Sequence, residues 1–247
     1  MPSSPTPASA SPVRIAMWSG PRNISTAMMR SFGSRADCVV VDEPYYAAYL
    51  AATGLDHPMR ETVLASQPVD PAAVAAGLFE ALPEGKTVHY QKHMTHHMLA
   101  GFDLTWLADV TSAFLIRRPE DVLASYVQKR EAVTLDDIGF VQQVAIFERV
   151  ADRLGAPPPV VEGVDVLAAP AATLSKLCEG LGIPFDPAMT AWEPGRRETD
   201  GVWAAHWYPA VEASTGFSPP RPGVAAAELP DGLRRIADAA RPAYERL

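Results

Sequence analysis

Cysteine is nearly absent from this chain of 247 residues, which contains only Cys38 and Cys178. Two thiols so far apart, outside any C-x-x-C pair, argue against a disulfide scaffold and against a zinc cluster, and they fit a reducing cytosol. The sequence also lacks any run of eighteen apolar residues, so no membrane-spanning helix is predicted. We therefore expect a cytoplasmic protein without a membrane partner.

Positive charge is also in deficit, because 21 Lys and Arg residues stand against 29 Asp and Glu residues, a net charge of −8. Proteins that coat nucleic acids depend on broad positive potential, so neither DNA nor RNA is predicted as a partner. A local arginine cluster can still dominate the potential of a pocket for a small anion. Hydrophobic residues at 48% leave ample material for a buried core.

The predicted organisation is a flexible tail over residues 1–12 and one domain over residues 13–247. The tail consists almost entirely of Pro, Ser, Ala and Thr. It has no positively charged segment ahead of an apolar one, which a secretory signal needs.

Short apolar runs alternate with helical patterns along the predicted domain. The predicted strands are 13–19, 38–41, 87–91, 112–116 and 160–161. The predicted helices begin near Ser25 and cover 70–82, 119 to about 130, 135–154 and 171–181. Continuous apolar strands that alternate with helices indicate an α/β fold, with a central parallel sheet covered by helices on both faces. Ligands of such folds bind beyond the carboxyl ends of the strands.

The loop after the first predicted strand has the composition of a phosphate site. It contains Gly20, Pro21, Arg22, Asn23, Ile24, Ser25 and Thr26. Backbone N–H groups and the positive end of the following helix suit a phosphate, and Arg22 adds a guanidinium that can fork onto phosphoryl oxygens. The alternative is a helix simply capped by Ser25. No Gly-Lys pair precedes the Ser-Thr pair, which disfavours an ATP-driven kinase or NTPase.

A second cationic motif ends the fourth predicted strand. Arg117 and Arg118 stand at its carboxyl end, and Ser125 lies two turns into the next helix. Arg117 and Ser125 are placed to hold one phosphate together with the first loop. The alternative is that the two arginines pair with Glu120 or Asp121 as surface charges, which contributes little.

These motifs resemble the cytosolic-type sulfotransferase family, whose members transfer a sulfuryl group from 3′-phosphoadenosine 5′-phosphosulfate (PAPS). Residues 21–26 resemble its P-K-S-G-T-T loop, with arginine in place of lysine, and residues 117–126 match its R-N-P-x-D-x-x-x-S-Y motif. Residues 196–207 resemble its R-K-G-x-x-G-x-W-K-x-H-F region, and residues 91–93 correspond to its K-T-H stretch. The resemblance extends over residues 13 to about 207.

The resemblance implies a P-loop-type three-layer sandwich and an enzyme that uses PAPS as co-substrate without a metal ion. The donor-binding residues it implies are Gly20, Pro21, Arg22, Asn23, Ile24, Ser25, Thr26, Arg117, Ser125, Arg196 and Arg197. Arg22 would stabilise the leaving phosphate, and His93 would be the base that takes the acceptor proton. His96 and His97 are rivals for that role. No carboxylate or cysteine lies among the histidines of residues 89–97, so no metal site is predicted there.

The acceptor is predicted to be a small molecule with a hydroxyl or amine, and no motif reveals its identity or the oligomeric state. Glu43, Tyr45 and Tyr46 follow the second strand and are predicted to contact the acceptor. The alternative is that the tyrosines are core residues and that Glu43 caps the next helix. Two rival functions remain: a small-molecule kinase that uses a nucleoside triphosphate, and a non-catalytic nucleotide-binding protein of the same fold.

Overall fold

A parallel β-sheet forms the centre of the computed structural model, which describes residues 11–128 and 132–247. Its strands are Val13–Ser19 (β1), Cys38–Asp42 (β2), Val88–Met94 (β3), Thr111–Ile116 (β4) and Val160–Glu162 (β5). Their order across the sheet is β2-β3-β1-β4-β5, and every neighbouring pair is parallel. The strand that precedes the first loop therefore lies in the middle, between β3 and β4.

Helices cover the sheet and follow nearly every strand. In chain order the α-helices of the described ranges are Ser25–Gly33 (α1), Tyr46–Thr53 (α2), Arg60–Ser66 (α3), Pro71–Gly77 (α4), Pro119–Tyr126 (α5), Leu135–Ile138 (α6), Phe140–Leu154 (α7), Gly163–Ala168 (α8), Pro170–Gly180 (α9), Ala204–Trp207 (α10), Pro209–Glu212 (α11) and Asp231–Arg246 (α12). Short 3-10 turns lie at Thr95–His97, Thr105–Asp109, Pro187–Thr190 and Ala226–Glu228.

Two hydrophobic cores lie on opposite faces of the sheet. Side chains alternate along a strand, so Ile15 and Met17 of β1 enter one core while Ala16 and Trp18 enter the other. The first core packs against α1 and α9, and the second packs against α4 and α7. The structure thus confirms the predicted α/β sandwich of P-loop type, with helices on both faces of a parallel sheet.

Two predicted elements differ from the structure in ways that affect the site. The helix predicted over 135–154 is divided into α6 and α7 by Gly139, whose φ is 69°. A Cβ at this glycine would lie only 2.5 Å from Thr95 Oγ1, so the glycine also permits close packing against the turn after β3. Strand β3 continues beyond the predicted end to Met94, so Lys92 and His93 belong to the strand rather than to a loop.

Some predictions fall partly outside the described residues. The predicted end of the helix near Arg130 lies outside them, as does the part of the predicted tail before residue 11. Over the described ranges, no helix combines the length and the hydropathy that crossing a membrane requires. The cytoplasmic location remains a prediction.

A buried ion pair joins α1 to the segment that precedes α10. Arg30 Nη1 lies 2.6 Å from Asp200 Oδ1, and Arg30 Nη2 lies 2.7 Å from Asp200 Oδ2. The two side chains are only 3% and 0% exposed. A bidentate pair at this depth places the segment around residue 200 against the sheet.

We predict that Asp200→Asn lowers the free energy of unfolding by about 3–5 kcal/mol, because Arg30 would keep a buried charge without its counter-charge. Urea unfolding monitored by tryptophan fluorescence measures the loss. The control is Glu148→Gln, which removes an exposed ion pair with Arg246 and should cost less than about 1 kcal/mol. Equal losses in the two variants would contradict a structural role of the buried pair.

Candidate functional site

The first loop, residues 19–26, connects the carboxyl end of β1 to the N-terminus of α1. Arg22 and Ile24 are left-handed, with φ values of 59° and 44°. A Cβ at Gly20 would lie 2.6 Å from the Ile138 carbonyl oxygen, so a larger residue there would force a shift of the backbone. Left-handed residues within a turn direct successive N–H groups into one concavity, which is a common form of anion site.

The N-terminus of α1 adds backbone donors to this loop. Ser25 is the first residue of the helix and Ile24 precedes it, so the expected cap by Ser25 is not formed. Within the described part of the chain, no side chain caps the first N–H groups of this helix. Those donors and the positive end of the helix dipole therefore face the loop, as an anion site requires.

Asn23 fixes the loop rather than facing outward. Its side chain is buried, and Nδ2 donates to the Leu115 carbonyl oxygen at 2.8 Å, at the end of β4. Asn23 Oδ1 has no hydrogen-bond partner among the described residues, and a Cβ at Gly163 would come within 2.9 Å of it. In this structure the Asn23 side chain positions the loop, and its predicted donor-binding role remains a prediction.

Three of the predicted donor-site residues meet beside this loop. Arg22 Nε donates to Ser125 Oγ at 3.0 Å, and Arg117 Nη1 donates to the carbonyl oxygen of Arg22 at 2.5 Å. All three residues are partly exposed. The structure therefore brings together the first loop, the end of β4 and α5, as the two cationic motifs suggested.

The charge of Arg221 also acts on this cluster, although no motif in the sequence marks this residue. Its segment is fixed to α5, because Arg118 Nη2 donates to the Val224 carbonyl oxygen and the Val224 N–H donates to Asp121 Oδ1. Arg221 stands in a proline-rich loop beyond the matched motifs, where no periodicity marks it. Only tertiary contacts reveal that it acts on Arg117.

The electrostatics of this cluster favour an anion. Burial lowers the pKa of Arg22 and of Arg117, and the pKa of Arg117 is raised by Asp121 and lowered further by Arg22 and Arg221. Guanidinium groups stay protonated at neutral pH nonetheless. Two partly desolvated guanidinium groups beside one carboxylate produce a local positive potential on a chain whose net charge is −8.

Arg197 lies away from this cluster, a position that does not support the predicted closure of Arg196 and Arg197 over the donor. Arg197 Nη2 donates to the Glu193 carbonyl oxygen. Arg197 also lines a cavity of about 1080 Å³ beside Ser34, at the C-terminal end of α1. That end lies about 13 Å along the helix from the first loop. The buried Arg30–Asp200 pair holds this segment away from the loop.

A second polar cluster lies at the carboxyl ends of β2 and β3 and is centred on Lys92. The ammonium group donates to Asp42 Oδ1 at 2.9 Å, to Glu43 Oε1 at 2.7 Å and to the Tyr208 hydroxyl at 2.5 Å. Lys92 is 1% exposed, and all three of its N–H donors are occupied. Lys92 and Asp42 were not among the predicted site residues, although the Asp-Glu-Pro sequence at the end of β2 is a visible signal.

Within this cluster the two carboxylates differ in accessibility. The Asp42 side chain is 1% exposed, whereas that of Glu43 keeps 11%, and Glu43 has a left-handed backbone with φ of 43°. Burial raises the pKa of Glu43, Lys92 lowers it, and the charge of Asp42 raises it again, with a net upward shift. Glu43 is therefore the carboxylate better placed to take a proton from a bound molecule.

His93 lies in the core, on the opposite face of β3 from Lys92, because adjacent strand residues alternate between faces. It is 1% exposed, stacks on Trp18 at a centroid distance of 4.5 Å and contacts Trp106 at 5.3 Å. Burial, assisted by His89, lowers its pKa to about 3. This position does not support the predicted role of His93 as the base.

The remaining predicted acceptor contacts are also buried. Tyr45 stacks on Trp106, and Tyr46 stacks on His97 at 4.5 Å, so both tyrosines are core residues, as the alternative held. Of the two rival histidines, His97 is buried and His96 is partly exposed. No group of His, Cys, Asp and Glu side chains within the described ranges is arranged to hold a metal ion, and metal independence remains a prediction.

Residues 13–246 match a family model described as a sulfotransferase domain. In structure, the chain is similar to the sulfotransferase domain from the Synechococcus PCC 7002 olefin synthase, with a TM-score of 0.54 and 17% identity over 94% of this chain and 96% of that chain. At this identity, the likeness concerns the fold.

Two curated proteins of Arabidopsis thaliana are similar in sequence. The branched-chain-amino-acid aminotransferase-like protein 2 is 35% identical over 207 residues, which cover 84% of this chain and 36% of that protein. The branched-chain-amino-acid aminotransferase-like protein 1 is 36% identical over 212 residues, which cover 86% of this chain and 38% of that protein. The chain thus spans little more than a third of the length of these relatives.

We predict that Arg117→Gln weakens the binding of inorganic pyrophosphate roughly ten- to hundredfold, because a hydrogen bond to a charged group contributes about 1.5–3 kcal/mol. Titration calorimetry at low ionic strength measures the affinity. The control is Arg234→Gln on α12, which removes an exposed pair with Asp231 and should bind as the wild type does. Unchanged affinity in the Arg117 variant would show that the cluster is not the anion site.

Proposed function

The chain belongs to the sulfotransferase family, and on this premise we propose that it transfers a sulfuryl group from PAPS to a hydroxyl or amine of a small cytoplasmic acceptor. The observation that carries the proposal is the meeting of Arg22, Arg117 and Ser125 beside the uncapped N-terminus of α1. A donor with phosphate groups at both ends of its ribose needs cations from more than one direction.

The residues of the cluster fit such a donor. The backbone of residues 20–26, the hydroxyls of Ser25 and Thr26 and the Arg22 guanidinium would hold the 5′-phosphosulfate. Arg117 and Ser125 would hold the 3′-phosphate, with Arg221 rather than Arg196 and Arg197 supplying further positive charge. The donor supplies the activated sulfuryl group, and the protein supplies position and charge.

The transfer requires two opposite electrostatic tasks. As the acceptor oxygen bonds to sulfur, the bond between sulfur and the phosphate oxygen breaks, and its electron pair stays on the phosphate. Arg22 stabilises that developing charge without giving up a proton, because a guanidinium group stays protonated in proteins. The acceptor proton must pass to a base.

Glu43 is the base that the geometry favours over His93. Its side chain stays partly accessible at the carboxyl edge of the sheet, one strand away from β1, whereas His93 is enclosed by Trp18 and Trp106. The raised pKa of Glu43 makes it a better proton acceptor than an ordinary glutamate. Lys92 fixes its orientation through the 2.7 Å hydrogen bond. His96, which is partly exposed, is the remaining rival.

The donor is tested by ligand preference. We expect 3′-phosphoadenosine 5′-phosphate at a hundredfold excess over its dissociation constant to stabilise the protein by about 2.7 kcal/mol, with a correspondingly raised Tm. ATP with magnesium should give a smaller shift, because it lacks the 3′-phosphate that Arg117 would hold. A larger shift with ATP would favour the kinase alternative. Binding of the 3′-phosphorylated nucleotide without transfer to any acceptor would favour the non-catalytic alternative.

The base is tested by Glu43→Gln beside His93→Gln. We expect Glu43→Gln to lower kcat on the order of a hundredfold or more while nucleotide affinity is kept, because the acceptor proton loses its base. Release of 3′-phosphoadenosine 5′-phosphate, measured over a panel of small alcohols, phenols and amines, reports transfer. In the wild type, kcat/KM should rise with pH through the raised pKa of Glu43, since the base must be ionised. Loss of transfer in His93→Gln alone would instead identify His93 as the base.

A further inference from the structure

The Tyr208 hydroxyl lies at the centre of the cluster around Lys92, and every hydrogen-bonding position of that hydroxyl is used. It donates to the carboxylate of Asp42, whose oxygens lie at 2.8 and 2.9 Å. It accepts from Lys92 Nζ at 2.5 Å and from Trp203 Nε1 at 3.1 Å. One proton and two lone pairs are the full capacity of a phenol, so its orientation is determined.

We propose that Tyr208 is a positioning residue for sulfuryl transfer. Its hydroxyl directs Lys92 toward Glu43 and fixes the Asp42 carboxylate, so that Glu43 is presented ionised to the acceptor. This inference rests on the proposed function, in which Glu43 is the base. Tyr208 acts through Lys92, through Asp42 and through its own 3.5 Å contact with Glu43 Oε1 rather than by touching the acceptor, since it is buried.

The hydrogen bonds of Lys92 show why the hydroxyl matters. Its three N–H donors go to three different groups, one of which is Tyr208. Without that hydroxyl, one buried N–H would lack its acceptor, and the ammonium would turn to satisfy it. The hydrogen bonds from Lys92 to Glu43 and to Asp42 would then change in geometry, and Glu43 would lose its present orientation.

Asp42 accepts hydrogen bonds from three groups. Beside Lys92, it accepts from the Tyr208 hydroxyl and from the backbone N–H of Gly201 at 3.1 Å. These donors satisfy a carboxylate that is 1% exposed. They therefore reduce the negative charge that Glu43, the neighbouring residue, experiences.

Tyr208 reaches the sheet from a distant part of the chain, 116 positions after Lys92. The buried Arg30–Asp200 pair and the Gly201 N–H bond to Asp42 hold the start of this segment in place. The segment 200–208 thus forms one wall of the cluster, and its placement determines how Glu43 is held.

The direction of the effect follows from the groups that face Glu43. These are Asp42 at the end of β2, Lys92 on β3 and Tyr208 after α10. Burial and Asp42 raise the pKa of Glu43, while Lys92 and Tyr208 lower it. Removing the hydroxyl should therefore raise the pKa of Glu43. A base whose pKa is higher is ionised only at higher pH, so the acid limb of the pH profile must move upward.

The experiment compares Tyr208→Phe with Tyr244→Phe. The control removes a hydroxyl that also bonds to a carboxylate, Glu162 Oε1 at 2.7 Å, but does so on α12. We expect Tyr208→Phe to lower kcat at neutral pH, with recovery at higher pH and unchanged affinity for 3′-phosphoadenosine 5′-phosphate, because a smaller fraction of Glu43 would be ionised. Tyr244→Phe should keep the wild-type pH profile. A fall in Tm without a shift of the acid limb would overturn the proposal.

A second readout does not depend on activity. Carbon-13 NMR titration of the Glu43 carboxyl group, identified by its loss in Glu43→Gln, should show a higher pKa in Tyr208→Phe than in the wild type. An unchanged pKa overturns the inference. A raised pKa in a protein that transfers no sulfuryl group would instead refute the proposed function and leave the electrostatic link intact. If Tyr208→Phe does not fold, Trp203→Phe, which removes the N–H donor to the hydroxyl, should shift the titration in the same direction, and no shift there refutes the proposal.

Discussion

The cationic site depends on one contact between two distant parts of the chain, the hydrogen bond from the Arg117 guanidinium to the carbonyl oxygen of Arg22. It connects residues 95 positions apart and holds the left-handed turn of the first loop against the end of β4. Because Arg22 in turn donates to Ser125, hydrogen bonds join the first loop, the end of β4 and α5 at one corner of the sheet. Among the residues that the structure describes, neither arginine forms an ion pair with a carboxylate, so the positive potential of that corner remains available to an anion.

Two clusters of opposite character therefore lie side by side at the carboxyl edge of the sheet. The cluster around β1 and β4 is cationic, and the one around β2 and β3 places two carboxylates about a single ammonium group. Group transfer from a phosphate leaving group to a hydroxyl needs both characters: positive charge where the bond breaks, and a proton acceptor where the new bond forms. The strand order brings them together, since β3 lies next to β1.

The alternation of side chains along β3 explains why His93, which the sequence resemblance implied as the base, is not accessible. Lys92 and His93 are adjacent on β3, so one enters the polar cluster and the other enters an aromatic core with Trp18 and Trp106. A charged imidazolium would be poorly solvated there, which is why burial lowers its pKa so far. The strand sets the direction of each side chain. That direction, rather than the residue type, decides that Lys92 enters the polar cluster and His93 does not.

The sequence by itself determined the sheet, the first loop and the pairing of Arg22 with Arg117, because these depend on local hydrophobic runs and on the rule that parallel strands end at one edge. The family was also predicted from the sequence, because the motifs follow one another along the chain in the order typical of sulfotransferases. Only the tertiary structure decided that Arg221 rather than Arg197 joins the arginines, and that Tyr208 completes the cluster around Lys92. Long loops carry no periodicity, so where they return to the sheet depends on ion pairs and hydrogen bonds between residues that no local pattern connects.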